Sequence, residues 1–193
     1  MRVLGGRLRG RRLAAPPGHA VRPTGARVRE ALFDMLAHNP WGAAGRSALD
    51  GAVALDAFAG TGALGIEALS RGAARAIFLD RDEAALAVLR RNLRALGLDD
   101  LAEARRGDAT RPGRAPLAAT LAFLDPPYRS GLAGPALIAL ARAGWLAPGA
   151  VCVVEEAARA AFDPPPGFAP LDARRWGDTR VAFLRQAGEA VSA

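Results

Sequence analysis

The chain has 193 residues, which is enough for one domain of ordinary size with at most a small appendage. Its single cysteine excludes a disulfide framework, its two scattered histidines argue against a metal site, and no stretch is apolar enough to span a bilayer. The formal net charge is +7, and all 26 basic residues are arginine. With no signal peptide expected at Met1, these properties are typical of a cytoplasmic protein in which Cys152 is a small buried hydrophobe.

The positive charge is concentrated at the amino terminus. The first 29 residues contain eight arginines and no acid, whereas the remainder has 18 arginines and 19 acids, so the two parts contribute +8 and −1. A purely basic segment with glycines between its charges is typical of a segment that lies along phosphates, although a solvated arm without a partner is the alternative. We predict that it contacts nucleic acid through Arg2, Arg7, Arg9, Arg11, Arg12, Arg22, Arg27 and Arg29.

The same segment is predicted to form a short strand or hairpin followed by a helix. Apolar residues alternate over residues 1–13 around a pair of glycines, and a Pro-Pro-Gly sequence then interrupts the pattern. Thr24 is predicted to cap a helix that has one apolar stripe. That helix is expected to end at Asn39, because the residue before a proline disfavours helical geometry.

From residue 52 the pattern alternates between strands and helices. Apolar runs predict strands at 52–57, 75–80, 101–106, 120–124 and 150–155, with helices at about 63–71, 83–96 and 132–144. Two further runs, at 168–175 and 180–185, are predicted to close the sheet as a hairpin. Strands that alternate with helices in this way indicate an α/β fold with a doubly wound, mostly parallel sheet.

A glycine-rich turn follows the first of these strands. Gly60, Gly62 and Gly65 form a G-x-G-x-x-G pattern that opens a helix, and they would let the backbone approach a ligand closely. Asp80 ends the next strand, where an acid can bind ribose hydroxyls. Asp56 would repel a pyrophosphate and attract a cationic sulfonium, which favours S-adenosylmethionine over NAD. The alternative is that Asp56 braces the loop or caps the helix.

Two further acids follow later strands. Asp108 ends the third strand, where it can accept a hydrogen bond from an adenine amine or simply form a turn. Asp125 precedes two prolines that stop the sheet. Its carboxylate, the Pro126 carbonyl and the Tyr128 ring can hold a planar base by its exocyclic amine, although capping and core packing would also use such residues. Because open α/β sheets bind ligands at the carboxyl ends of their strands, these acids predict one shared crevice.

These motifs resemble a known group of enzymes. Asp56-Ala-Phe-Ala-Gly-Thr-Gly62 and Asp125-Pro-Pro-Tyr128 resemble class I S-adenosylmethionine-dependent amino-methyltransferases. The string from Arg2 to Leu13, with Arg22-Pro-Thr24 and residues 27–33, is similar to the RsmD family, which methylates the N2 amine of a guanine in 16S ribosomal RNA. The resemblance extends from residue 1 to about 185 and implies a Rossmann-like, seven-stranded sheet. It also implies S-adenosylmethionine as cofactor and the small ribosomal subunit, or its assembly intermediate, as partner.

The resemblance implies roles for particular residues. Those implied to bind the cofactor are Asp56, Phe58, Gly60, Gly62, Asp80 and Asp108, and those implied in catalysis are Asp125, Pro126 and Tyr128. Asp80 departs from the glutamate more usual in the family, and its shorter side chain would adjust the ribose contact or place a water in it. We expect residues 1–40 to be an RNA-contacting arm and helix, 41–187 the catalytic domain and 188–193 a tail, in a monomer that needs no metal.

Other functions stay open on the sequence. The same core could methylate adenine N6 in RNA or DNA, or a glutamine amide, and the basic arm argues only against the protein substrate. A module that binds RNA without catalysis would keep the same fold, although the chain retains every residue that transfer requires. NAD-dependent oxidoreduction is disfavoured by Asp56 and by the lack of an obvious proton-relay His or Lys.

Overall fold

The computed structural model describes residues 1–15, 23–127, 130–159 and 162–188, and within them seven strands form one sheet. The strands are β1 (Val53–Asp56), β2 (Arg75–Asp80), β3 (Ala102–Arg106), β4 (Ala119–Leu124), β5 (Leu146–Ala157), β6 (Phe168–Trp176) and β7 (Thr179–Gln186). The helices are α1 (Pro23–His38), α2 (Ala63–Ser70), α3 (Glu83–Leu96) and α4 (Ala133–Arg142). None of these helices is long and apolar enough to cross a membrane.

The strand order is β3-β2-β1-β4-β5-β7-β6. The strands from β3 to β5 in this order pair in parallel, whereas β7 is antiparallel to both β5 and β6. This confirms the predicted α/β fold with a doubly wound, mostly parallel sheet closed by a hairpin. The order reverses between β1 and β4, and such a switch point opens a crevice at the carboxyl ends of the strands.

Apolar side chains cover both faces of the sheet. Alternate strand residues belong to separate buried clusters: Phe78 and Phe123 pack on the side of α1, α2 and α3, whereas Leu79 and Leu124 pack on the side of α4. Cys152 is fully buried in the second cluster, as predicted, and burial raises the pKa of its thiol to about 12. The thiol is therefore protonated at neutral pH and unsuited to nucleophilic chemistry.

The arm, residues 1–15, folds back on itself as predicted. A bridge pairs Arg2 with Arg12, and the Val3 amide donates to the Arg11 carbonyl at 3.0 Å. The arm buries Val3, Leu8 and Leu13 in the core cluster shared with α1, α2 and α3. The arm is thus part of the folded body along its whole described length.

The start of α1 differs from the prediction. The helix begins at Pro23, so Thr24 lies inside its first turn and is not the capping residue. Proline suits the first helical position, because its φ is already helical and its missing N–H would have no partner within the helix. The helix ends at His38, next to the predicted stop at Asn39.

Candidate active site

Side chains of α3 and β2 pack closely against the glycine-rich loop between β1 and α2 and against the start of α2. A side chain at Gly62, where φ is +86°, would place its Cβ 2.3 Å from the Leu89 Cδ1 atom of α3. A Cβ at Gly65 would lie 2.3 Å from the Phe78 ring of β2. Gly60, with φ of +52°, has no atom within 4 Å of the corresponding position. The absence of a side chain at Gly65 therefore allows α2 to pack closely on the sheet. The open space next to Gly60 would allow a ligand to approach the backbone closely.

Asp80 holds this loop from the neighbouring strand. Its Oδ2 atom accepts a hydrogen bond from the Gly60 amide at 2.7 Å, and its Oδ1 atom accepts one from the Asp82 amide at 2.9 Å. Asp82 caps α3, as its side chain accepts from the Ala84 amide at 2.8 Å. The Asp80 carboxylate thus lies between the glycine-rich loop and the start of α3.

Asp56 lies beneath the loop. It is 2% exposed, and its Oδ2 atom accepts a hydrogen bond from the Gly65 amide at 3.0 Å. Burial is the main reason that its pKa rises to about 7, and the charges of Asp125 and Asp80 raise it further. The loop-bracing role that the sequence left open is therefore present, and the effect of the Asp80 and Asp125 charges on the pKa of Asp56 indicates that the three carboxylates lie near one another.

We expect Asp56→Asn to stabilise the protein more at pH 8 than at pH 5. The pKa of Asp56 is about 7 in the folded protein, above the ordinary 3.8, so the stability that this group contributes is lost as pH rises from about 4 through 7. Asparagine does not titrate, and its oxygen can still accept from the Gly65 amide. The gap in Tm between variant and wild type should widen by about 5 °C between pH 5 and pH 8. A gap independent of pH would contradict this, and exposed Asp50→Asn is the matched control.

The remaining predicted site residues follow β1, β3 and β4. Asp125 is exposed and Pro126 is buried, directly after β4, whereas Tyr128 lies outside the described residues. Phe58 is half-buried in the glycine-rich loop. Asp108 is exposed, and its Oδ1 atom accepts from the Thr110 amide at 2.8 Å and the Thr110 hydroxyl at 2.7 Å. These hydrogen bonds lower the pKa of Asp108. They are typical of a turn-forming aspartate, the role that the sequence left open beside adenine binding.

The predicted RNA-contacting arginines fall into two groups. Arg29 is 8% exposed, its Nη2 atom donates to the Arg2 carbonyl at 2.8 Å, and its Nε atom lies 3.9 Å from the Glu67 carboxylate. This side chain fastens the arm and does not offer its guanidinium to solvent. The exposed arginines are Arg2, Arg7, Arg9, Arg11, Arg12 and Arg27, and Arg22 lies outside the described residues.

Sequence reasoning missed the residues that anchor the arm. Glu67 of α2 is 1% exposed, and its carboxylate accepts from the Leu4 and Gly5 amides at 2.8 and 2.7 Å. The Ser70 hydroxyl, one turn later, accepts from the Leu8 amide at 2.9 Å and donates to the Gly5 carbonyl. The available signal was two polar residues three positions apart in an otherwise apolar helix.

The switch-point crevice, the glycine-rich loop and the sheet order define a class I methyltransferase fold. Residues 1–185 match the model of the family described as Conserved hypothetical protein 95, and the chain belongs to that family. This confirms the resemblance to the RsmD family that the amino-terminal string indicated.

Named relatives and a solved structure agree with this family. The chain is 37% identical over 155 residues to the Escherichia coli K12 protein named Ribosomal RNA small subunit methyltransferase D. The aligned region covers 80% of this chain and 74% of the relative. It is 42% identical over 133 residues, or 67% of each chain, to YlbH of Bacillus subtilis 168, described as a candidate rRNA methyltransferase. A solved E. coli structure, described as the candidate methyltransferase yhhF, is 33% identical with a TM-score of 0.83, covering 98% of this chain and 99% of the other.

Proposed function

We propose that this protein transfers a methyl group from S-adenosyl-L-methionine to the N2 amine of a guanine in 16S ribosomal RNA. The observation that supports this most is the meeting of Asp56, Asp80 and Asp125 at the ends of β1, β2 and β4. The family relatives named small-subunit ribosomal RNA methyltransferases supply the substrate class. Such a substrate is found in the cytoplasm, and we propose that the protein acts there as a monomer on the small subunit or its assembly intermediate.

The crevice residues fit a cationic cofactor. Asp56 is buried, its pKa of about 7 leaves it partly protonated, and a nearby sulfonium and ammonium would favour its ionised form. Gly60 offers backbone with open space, which suits the methionine part of the cofactor. We assign Phe58 and Gly62 to the same part, Asp80 to the ribose and Asp108 to the adenine. When bound, S-adenosylmethionine supplies an electrophilic methyl group.

Asp125 and Pro126 are proposed to prepare the guanine amine for attack. This amine is a poor nucleophile, because its lone pair is delocalised into the ring. Hydrogen bonds accepted by the Asp125 carboxylate and the Pro126 carbonyl would direct the lone pair along the line of transfer, and correct placement can supply about 7–11 kcal/mol. The carboxylate also stabilises the positive charge that develops on nitrogen, and the proton then leaves to Asp125 or water. We propose that the Tyr128 ring stacks on the base.

The exposed arginines of the arm and of α1 are proposed to bind RNA phosphates. Those of the arm lie on a segment fixed to the catalytic body through Glu67 and Ser70, so a bound strand would have a defined position relative to the crevice. Phosphate contacts fix the register and orientation of a nucleic acid and do not read its sequence. Selection of one guanine would therefore depend on the crevice and on the shape of the RNA.

Nucleoside mass analysis tests this function directly. We would incubate the protein with S-adenosylmethionine and small ribosomal subunits from a strain that lacks the modification. We expect N2-methylguanosine from the wild-type protein and, over the same time, at least about 10²-fold less from Asp125→Ala. N6-methyladenosine would keep the fold and cofactor but contradict the base assignment. No methylated nucleoside on subunits or on free ribosomal RNA would contradict the proposed function.

A further inference from the structure

Asn92 of α3 joins the arm to the glycine-rich loop. Its side chain is 3% exposed. The Oδ1 atom accepts a hydrogen bond from the Ala14 amide at 2.8 Å, and the Nδ2 atom donates to the Ala14 carbonyl at 3.2 Å. The same Nδ2 atom donates to the Thr61 carbonyl at 3.1 Å. One planar amide group therefore contacts both segments, and both of its N–H groups are used.

The orientation of this amide is fixed by its partners. The oxygen faces an N–H group, and the nitrogen faces two carbonyl oxygens. The reversed orientation would bring the oxygen against both carbonyls and leave buried groups unpaired, which is strongly unfavourable. Since two of the three partners belong to Ala14, a docked arm favours the Asn92 orientation that also donates to Thr61.

Thr61 is a loop residue for which such a contact matters. It lies between Gly60 and Gly62, which both have positive φ and need little energy to change their backbone angles. The loop is supported at Gly60 by Asp80 and at Gly62 by Leu89, which lies one turn before Asn92 on α3. The hydrogen bond from Asn92 holds the Thr61 carbonyl, which lies between Gly60 and Gly62.

We propose that Asn92 is a positioning residue that couples RNA binding on the arm to cofactor binding at the glycine-rich loop. This inference rests on the proposed function. An RNA that binds the docked arm more tightly than a released arm stabilises the Asn92 orientation that fixes the loop, so RNA and cofactor each raise the affinity of the other. Thermodynamic linkage requires the factor by which RNA tightens cofactor binding to equal the factor by which the cofactor tightens RNA binding. Coupling factors between two binding sites are typically about fivefold or more.

The test measures the affinity for radiolabelled S-adenosylhomocysteine by equilibrium dialysis, with and without the ribosomal particle that the wild-type protein methylates. We expect the particle to tighten binding at least about fivefold for the wild type. For Asn92→Ala and Asn92→Asp we expect weaker binding without RNA and a coupling factor close to one. Asn92→Asp can still accept from the Ala14 amide but loses the two donated bonds, and thermal melts verify that both variants fold.

Ser70→Ala is the matched control, because Ser70 bonds the arm but not the loop. We expect this variant to bind RNA more weakly, but at saturating RNA to bind the cofactor as tightly as the wild type does, because the Asn92 bond to Thr61 is intact. Wild-type protein that binds the cofactor equally with and without RNA would overturn the inference alone, as would Asn92 variants with wild-type coupling. Wild-type protein that binds no cofactor would overturn the proposed function as well.

Discussion

Asp125→Ala is expected to reduce methyl transfer by at least about 10²–10³-fold, the range found when one electrostatic partner of a transition state is removed. Asp125 follows β4 at the switch point and is exposed, so its replacement leaves the core intact. The variant loses the carboxylate proposed to orient the amine and to stabilise the charge on nitrogen. Cofactor affinity should stay within a few-fold, since the proposed cofactor contacts come from other residues.

The Asp125 prediction is checked by single-turnover methylation together with cofactor binding. Asp125→Asn keeps an acceptor oxygen and loses the charge, so its rate should fall between those of the wild type and Asp125→Ala. Asp99→Ala is the matched control, because Asp99 is an exposed aspartate that precedes the amino end of β3, whereas Asp125 follows the carboxyl end of β4. Near-normal turnover by Asp125→Ala would show that the role assigned to this carboxylate is wrong.

The crevice was predictable because local patterns specify it. Asp56, Asp80 and Asp125 each follow a short apolar run, and parallel strands place their carboxyl ends at one edge. The same reasoning cannot decide what each carboxylate contacts. Asp56 is buried and bonded to Gly65, whereas Asp108 is exposed and bonded to Thr110, although the sequence places both at the end of a strand.

The partners of the residues that anchor the arm were not predictable, because these bonds join residues that are far apart in sequence. Glu67 bonds amides 62 and 63 positions away, and Asn92 bonds a residue 78 positions away. A charged residue on a helix is usually solvated, and neighbouring residues alone do not indicate that a basic arm will cover it. Arg29 had a local signal, since its spacing to Phe33 and Leu36 places it on the apolar face of α1.

Glu67→Ala is expected to lower the free energy of unfolding by about 3–5 kcal/mol, the cost of leaving a buried charge without its partner. Glu67 accepts from two arm amides and from the Arg71 Nε atom at 2.9 Å, and it lies 3.9 Å from Arg29. Its removal leaves the buried Arg29 without its neighbouring carboxylate and the two arm amides without their acceptor, whereas Arg71 still pairs with Asp34 at 3.1 Å. At about 2–4 °C for each kcal/mol, Tm should fall by about 10 °C.

The matched control for Glu67→Ala is Glu83→Ala. Glu83 pairs with Arg90, but its side chain is 52% exposed, and exposed pairs contribute only about 0–1 kcal/mol. Limited trypsin digestion adds a second readout, because the exposed arginines of the arm should be cleaved faster in Glu67→Ala. The arm places Val3, Leu8 and Leu13 in the core, so its release exposes apolar surface and destabilises the catalytic body. A Glu67→Ala protein that melts within 2 °C of the wild type, an effect of about 1 kcal/mol, would mean that the arm is held by apolar packing alone.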